Sequence, residues 1–248
     1  MHSLADFAQL PTFRDPAYYW SGSVFTSLDH MTYVDVQASL HNTNPYEKVT
    51  CTDCHEAHSV TGGPYQFQRV NAQTGDEYAF QANDAALRND VLCLACHATH
   101  GDFATVALED TANYHLAQGG AVQKNGTAWT PGADVQAAST STVATAVDAH
   151  MLTRAGMPAF FDPSGVTNGQ PTGRCASCHL AKTAWTATAF PGLDANGRTA
   201  NVIGDVSSHI FRVAQPQDSL ATLSSAATWD AVMPNACGSC HPQFRFGK

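Results

Sequence analysis

The pattern Cys-x-x-Cys-His occurs four times in this chain and consumes all eight of its cysteines. The copies are Cys51-Thr-Asp-Cys54-His55, Cys93-Leu-Ala-Cys96-His97, Cys175-Ala-Ser-Cys178-His179 and Cys237-Gly-Ser-Cys240-His241. Two intervening residues set both thiols on one turn of chain, and the next residue brings an imidazole beside them. This is the attachment spacing of c-type haem: the thiols form thioethers with the porphyrin vinyl groups and the histidine supplies an axial nitrogen to iron. Eight cysteines could also make four disulfides, or two all-cysteine zinc sites from paired knuckles. Neither alternative accounts for a histidine directly after every pair with no cysteine left over. The expectation is four covalently attached haem c groups on an electron carrier.

Composition narrows the setting. The chain carries 12 Lys+Arg against 21 Asp+Glu, a formal net charge of −9, and haem propionates would make it more acidic. That disfavours nucleic acid and anionic membrane surfaces as partners. Only 13% of residues are charged, against about 25% in an average soluble domain. Cover by neighbouring subunits would explain so bland a surface, and so would a glycosylated Ala/Thr/Ser-rich exterior. No apolar run reaches the ~18 residues of a membrane span. The opening residues Met1-His2-Ser3-Leu4-Ala5-Asp6 lack the basic and apolar regions of a signal peptide. Because c-type haem is attached outside the cytoplasmic membrane, the expected protein is an exported one with its leader removed.

The motifs set the expected organisation. Residues 1–50 form a haem-free N-terminal segment with His2, His30 and His41; residues 51–118 hold haems 1 and 2; residues 150–248 hold haems 3 and 4. Between them, 119–149 reads as a charge-poor Ser/Thr/Ala insert, either an extended surface segment or a site of O-glycosylation. Asn125-Gly126-Thr127 is an N-glycosylation sequon. With 18 Gly and 12 Pro, the fold class expected is mostly coil with short α-helices and little β. The best helix window is Asp84–His97, with Ala85, Ala86, Leu87, Val91, Leu92 and Leu94 as apolar positions. Haem faces would serve as the core, since a loop-rich chain has little else to offset its ordering entropy.

Each iron has a second axial position, and eight histidines lie outside the motifs: His2, His30, His41, His58, His100, His115, His150 and His209. Bis-His coordination of four haems is therefore within reach. His58 follows His55 by three residues, and His100 follows His97 likewise. On a helix such pairs share a face, so neither could complete its neighbour's iron, and each would serve a second haem stacked alongside. A reciprocal pair of haems 1 and 2 is expected, the alternative being bonds to propionates or solvent.

The second half carries another pattern, Arg174-Cys-Ala-Ser-Cys-His179-Leu-Ala-Lys182-Thr183 followed by Ser208-His209-Ile-Phe211. It resembles the Cys-x-x-Cys-His-Met-Pro-Lys-Thr … Ser-His-x-Phe pattern of multihaem cytochromes related to pentahaem nitrite reductase and to OmcE-type tetrahaem filament cytochromes. Leu180-Ala181 stands where the pattern has Met-Pro. The resemblance implies His209 as a distal ligand, and His150 as another, serving haem 4. The segment Ser39-Leu-His41 to His58 is similar to the first haem site of these cytochromes, which adds His41 and His30 as candidates above His115 and His2. The resemblance spans residues 30–100 and 148–248.

Together these features predict a non-enzymatic subunit of an extracellular filament, its stacked bis-His haems conducting electrons towards a distant acceptor. The 248 residues leave 62 for each of four motifs, enough polypeptide to insulate a haem chain and build interfaces. The alternatives are a monomeric periplasmic shuttle and an enzyme of the nitrite or hydroxylamine class; the chain has no Cys-x-x-Cys-Lys motif. A further expectation places one sixth ligand in trans, from His30 or His41 of a neighbouring subunit, because only seven residues follow His241.

Overall fold

A computed structural model describes residues 19–20, 22–27, 32–45, 48–56, 70–71, 74–79, 90–156, 166–167, 170–171, 175–184, 191–193, 199–201, 206–223 and 233–237. His2, His30, His58, Cys240, His241 and the window 81–89 lie outside them. Among the described residues the helices are α1 (Thr32–Ala38), α2 (Leu40–Thr43), α3 (Cys51–Cys54), α4 (Val91–His97), α5 (Leu108–Ala117), α6 (Ala133–Ala155), α7 (Cys175–His179) and α8 (Pro216–Leu223). The described strands are two to four residues long. Helices joined by much coil, with little β, is the class the sequence indicated.

The chain divides into two compact units, Met1–Val49 with Ala176–Lys248, and Thr50–Cys175. This differs from the expected division. The N-terminal segment is not separate from the chain's second half, and the 119–149 stretch belongs with residues 51–118.

The insert is neither extended nor short. Most of it forms α6, which runs for 23 residues, about 34 Å at 1.5 Å per residue. Gly132 caps its start, Asp134 and Arg154 complement the helix dipole at either end, and Gly156 closes it at φ 63° with its N–H on the Leu152 carbonyl. Ser139, Val143, Ala146 and Val147 are buried, recurring at the spacing of one helix face. These side chains are small, so the face lacks the large apolar residues that advertise a helix. Thr140 and Thr142 turn their hydroxyls back onto the carbonyls of Gln136 and Ala138, at 2.8 and 3.1 Å, which meets their polar need inside a helix.

α6 packs on α5 through a buried polar chain. The Trp129 indole N–H donates to Asn113 Oδ1 (2.9 Å), Asn113 Nδ2 donates to Ser139 Oγ (3.2 Å), and that hydroxyl donates to Asp110 Oδ1 (2.7 Å). Around it Tyr78, Val91, Leu94, Val106, Tyr114, Val122 and Val143 form one apolar cluster. An antiparallel sheet of β1 (Glu77–Ala79), β2 (Ala121–Lys124) and β3 (Thr127–Ala128) contributes Tyr78 opposite Val122. The turn between β2 and β3 is Asn125-Gly126, both at positive φ (51° and 74°), as a tight hairpin requires. The sequon asparagine is exposed at this tip.

His115 belongs to this packing. It is fully buried, edge-on to Tyr78 at 5.3 Å, and its carbonyl accepts the Gly120 N–H at 3.0 Å. A Cβ at Gly120 would fall on the His115 ring, which its burial keeps from moving aside. Gly120→Ala is expected to lower stability by about 1–3 kcal/mol, read as a shifted midpoint in denaturant unfolding.

The other unit has its own cluster: Trp20, Phe25, Ile210, Ala214 and Met233 are buried together. Trp20 donates its indole N–H to the Thr183 carbonyl (2.8 Å), on strand β4 (Lys182–Ala184), which pairs with β5 (Val206–Ser207). That pairing leads straight into Ser208 and His209.

Candidate cofactor site

Helix α4 shows how a motif is presented. Val91 and Leu94, followed by Ala98, are buried, whereas Cys93 is half-buried and Cys96 and His97 are exposed. One side of the helix is anchored in the core and the other offers both thiols and the imidazole outwards. A planar group tethered from outside fits this arrangement. In the first motif the intervening residues close the turn themselves. Asp53 Oδ2 accepts from the Thr50 backbone N–H at 2.6 Å and from its hydroxyl at 2.8 Å, a reciprocal cap at the helix start. In the third motif the Cys175 N–H donates to Asp90 Oδ1 at 2.9 Å.

Within the Thr50–Cys175 unit Cys93 acts on a thiol of the first motif and on one of the third. Burial pushes the Cys54 thiol up to about 12, and the neighbouring Cys93 and Cys96 add to the shift. Cys175 is hydrogen-bonded to Cys93, and this bond, then burial, raises its thiol well above the ordinary value. None of the seven described cysteines is in a disulfide. Among the described residues no three His, Cys, Asp or Glu side chains are gathered as they would be around a metal ion; a structural zinc takes four such donors, a haem iron one or two from the protein.

The histidines outside the motifs separate into two surroundings. In the Thr50–Cys175 unit, His97, His100 and His150 line one cavity of about 210 Å³, with Asp102, Phe103 and Arg154. His100 reaches it by a route the sequence argument did not anticipate. α4 ends at His97, Thr99 takes a left-handed φ of 68°, and His100 is extended. The shared helical face assumed for His97 and His100 does not exist. Nor does it for His55, which is already extended beyond the end of α3; His58 lies outside the described residues. His150, on α6, lines this cavity together with the second motif's His97; the fourth motif's His241, which the resemblance paired with it, lies outside the described residues.

Tautomers follow from what the ring nitrogens face. Carbonyl and carboxylate oxygens only accept, so an Nδ1 beside one carries the proton and the basic nitrogen of the neutral ring is Nε2. His100 Nδ1 lies 2.9 Å from the Ala98 carbonyl, and His150 Nδ1 2.8 Å from Asp102 Oδ2. Arg154 also binds Asp102, through Nε at 2.8 Å and an Nη2 at 3.1 Å. Arg154 first, then His150, holds the Asp102 carboxyl down to about 2.

The second surrounding, in the Met1–Val49 and Ala176–Lys248 unit, centres on Phe211. His179 Nδ1 donates to the Phe211 carbonyl at 2.9 Å, and His209 Nδ1 to that of Ser207 at 3.1 Å. The His41 ring stands edge-on to the Phe211 ring at 4.4 Å, and His209 at 5.9 Å. Phe211 itself has φ 56°, a conformation that costs a bulky residue about 1–3 kcal/mol and concentrates at functional sites. His41, expected with His30 as a candidate for the ligand in trans, rests against Phe211. A buried carboxylate braces the loop: Asp35 accepts from Thr26 Oγ1 (2.9 Å), Ser208 Oγ (2.8 Å) and the His209 backbone N–H (3.1 Å). Burial raises its pKa, while these bonds, Ser208 first, act the other way.

Of the candidates, the structure brings His97, His100 and His150 together in one unit, and His41, His179 and His209 in the other. Cys237 is half-buried; Cys240, His241, His30 and His58 lie outside the described residues. Asp35 and Asp102 were not singled out from the sequence, and Phe211 entered only as the last residue of the Ser-His-x-Phe pattern. No protein-family model, curated protein or solved structure matches the chain.

Proposed function

We propose that this protein is a tetrahaem c-type cytochrome, the repeating subunit of an extracellular filament that carries electrons over long distances. The observation that carries the reading is the use of all eight cysteines in four Cys-x-x-Cys-His motifs. Cys93 of the second motif is hydrogen-bonded to Cys175 of the third, which supports closely spaced haems at these two motifs. Bound haem supplies a reversible one-electron change at iron.

The chain supplies the rest. Cys51 and Cys54, Cys93 and Cys96, Cys175 and Cys178, and Cys237 and Cys240 would tether the groups, and His55, His97, His179 and His241 would each supply a nitrogen ligand. His100, His150 and His209, whose Nδ1–H donors leave Nε2 basic, are the described distal ligands best prepared, with His41 beside Phe211 as a fourth; His58 and His30 complete the candidate set. Two imidazoles per iron leave no position for a substrate, so the role is transfer and not catalysis. The low charge of the chain suits burial against further copies of itself. Among the described residues no helix is long and apolar enough to cross a membrane.

Electron micrographs of the native protein test this, together with the haem content of the same sample. Four haems per chain and continuous filaments are the expected results. Single particles of one chain's mass would sink the filament and favour the periplasmic shuttle. A haem-free native protein would overturn the cytochrome.

A further inference from the structure

His100, His179 and His209 hold Nδ1 on neutral backbone carbonyls; His150 holds its own on a carboxylate. A carboxylate is the stronger acceptor, and charge-assisted bonds are about twice as strong as neutral ones. The His150 and Asp102 side chains are 25% and 27% exposed. Asp102 comes from the short helical turn Gly101–Phe103, just beyond the second motif, and His150 from the far end of α6. The second motif's His97 lines the same cavity. Resting on the cytochrome reading, we infer that Asp102 is a positioning residue for a haem ligand: it fixes His150 with Nε2 towards the metal, makes that nitrogen more electron-rich, and lowers the reduction potential of the one haem that His150 serves.

The chemistry is that of an outer partner tuning a metal ligand. Drawing the Nδ1 proton towards a carboxylate gives the ring partial imidazolate character, which stabilises the ferric over the ferrous state. Arg154 opposes this by sharing the same carboxylate, through Nε at 2.8 Å and Nη2 at 3.1 Å. The two residues must therefore act with opposite sign on one haem.

The test uses the haem-loaded full-length protein, titrated potentiometrically through its haem absorbance, with electron paramagnetic resonance on the oxidised form. In Asp102→Asn one of the four one-electron transitions moves to higher potential and one low-spin signal changes, while three stay in place. Asp102→Glu restores the parent curve, and Arg154→Gln moves the same transition downwards. A merely structural role would shift all transitions together, or both variants the same way, and either result overturns the inference, as does an Asp102→Asn curve superimposable on the parent's. Should Asp102→Asn fail to take up four haems, Arg154→Gln decides: a single downward shift supports the assignment, and no shift or an upward one overturns it. A parent protein without haem removes the cytochrome reading and this inference with it, whereas a four-haem parent with unmoved potentials removes the inference alone.

Discussion

Asp35→Ala is expected to destabilise the Met1–Val49 and Ala176–Lys248 unit by about 3–5 kcal/mol, because three donors lose a buried acceptor and each orphaned group costs roughly 1–3 kcal/mol. That is a large part of the roughly 5–15 kcal/mol that holds an ordinary domain together. The hydroxyls of Thr26 and Ser208 can rotate towards other acceptors. The His209 backbone N–H, bound to Oδ2 at 3.1 Å, cannot. Asp35→Asn keeps the shape and one acceptor oxygen, and a loss of about 1–3 kcal/mol is expected. Denaturant unfolding of both variants gives the two numbers, and equal stability of parent and alanine variant would show that the bonds do not brace the loop. On the cytochrome reading the alanine variant should also show a high-spin fraction, since Asp35 holds the backbone from which His209 projects.

The second large effect is compositional. On the cytochrome reading, replacing both Cys93 and Cys96 by alanine is expected to lower the haem bound per chain by one of four, measured as haem absorbance against protein mass. The fold around the motif should survive, because α4 is anchored by Val91 and Leu94 on the side away from Cys96 and His97. Three remaining haems with a cooperative unfolding transition would support tethering at this motif. An unchanged haem content would exclude it.

What could be read from the sequence was local. Two cysteines and a histidine within five residues stand out by spacing alone, and the low β content follows from the many Gly and Pro. The long helix α6 could not be read in the same way. Its buried face consists of Ser139, Val143, Ala146 and Val147, and small side chains carry little hydrophobic periodicity even where they pack closely. The route to His100 was hidden because it depends on one residue, Thr99, taking a left-handed φ that the sequence does not signal. The carboxylates were hidden for a different reason. Asp102 is 48 positions from His150 and Asp35 is 174 from His209, so each pair exists only after folding.

The length of α6 bears on how this chain can change over generations. His150 lies at the far end of a helix whose angular position is set by Ser139, Val143 and Val147 against α5. One residue inserted between Val147 and His150 would swing the histidine by about 100° around the axis and advance it ~1.5 Å, away from Asp102. The Asn125-Gly126 hairpin tip, exposed and upstream of that helix, imposes no such register. Insertions and deletions should therefore accumulate at the tip and be purged from the helix, leaving descendants that vary in outline but keep a constant count of residues from Ser139 to His150.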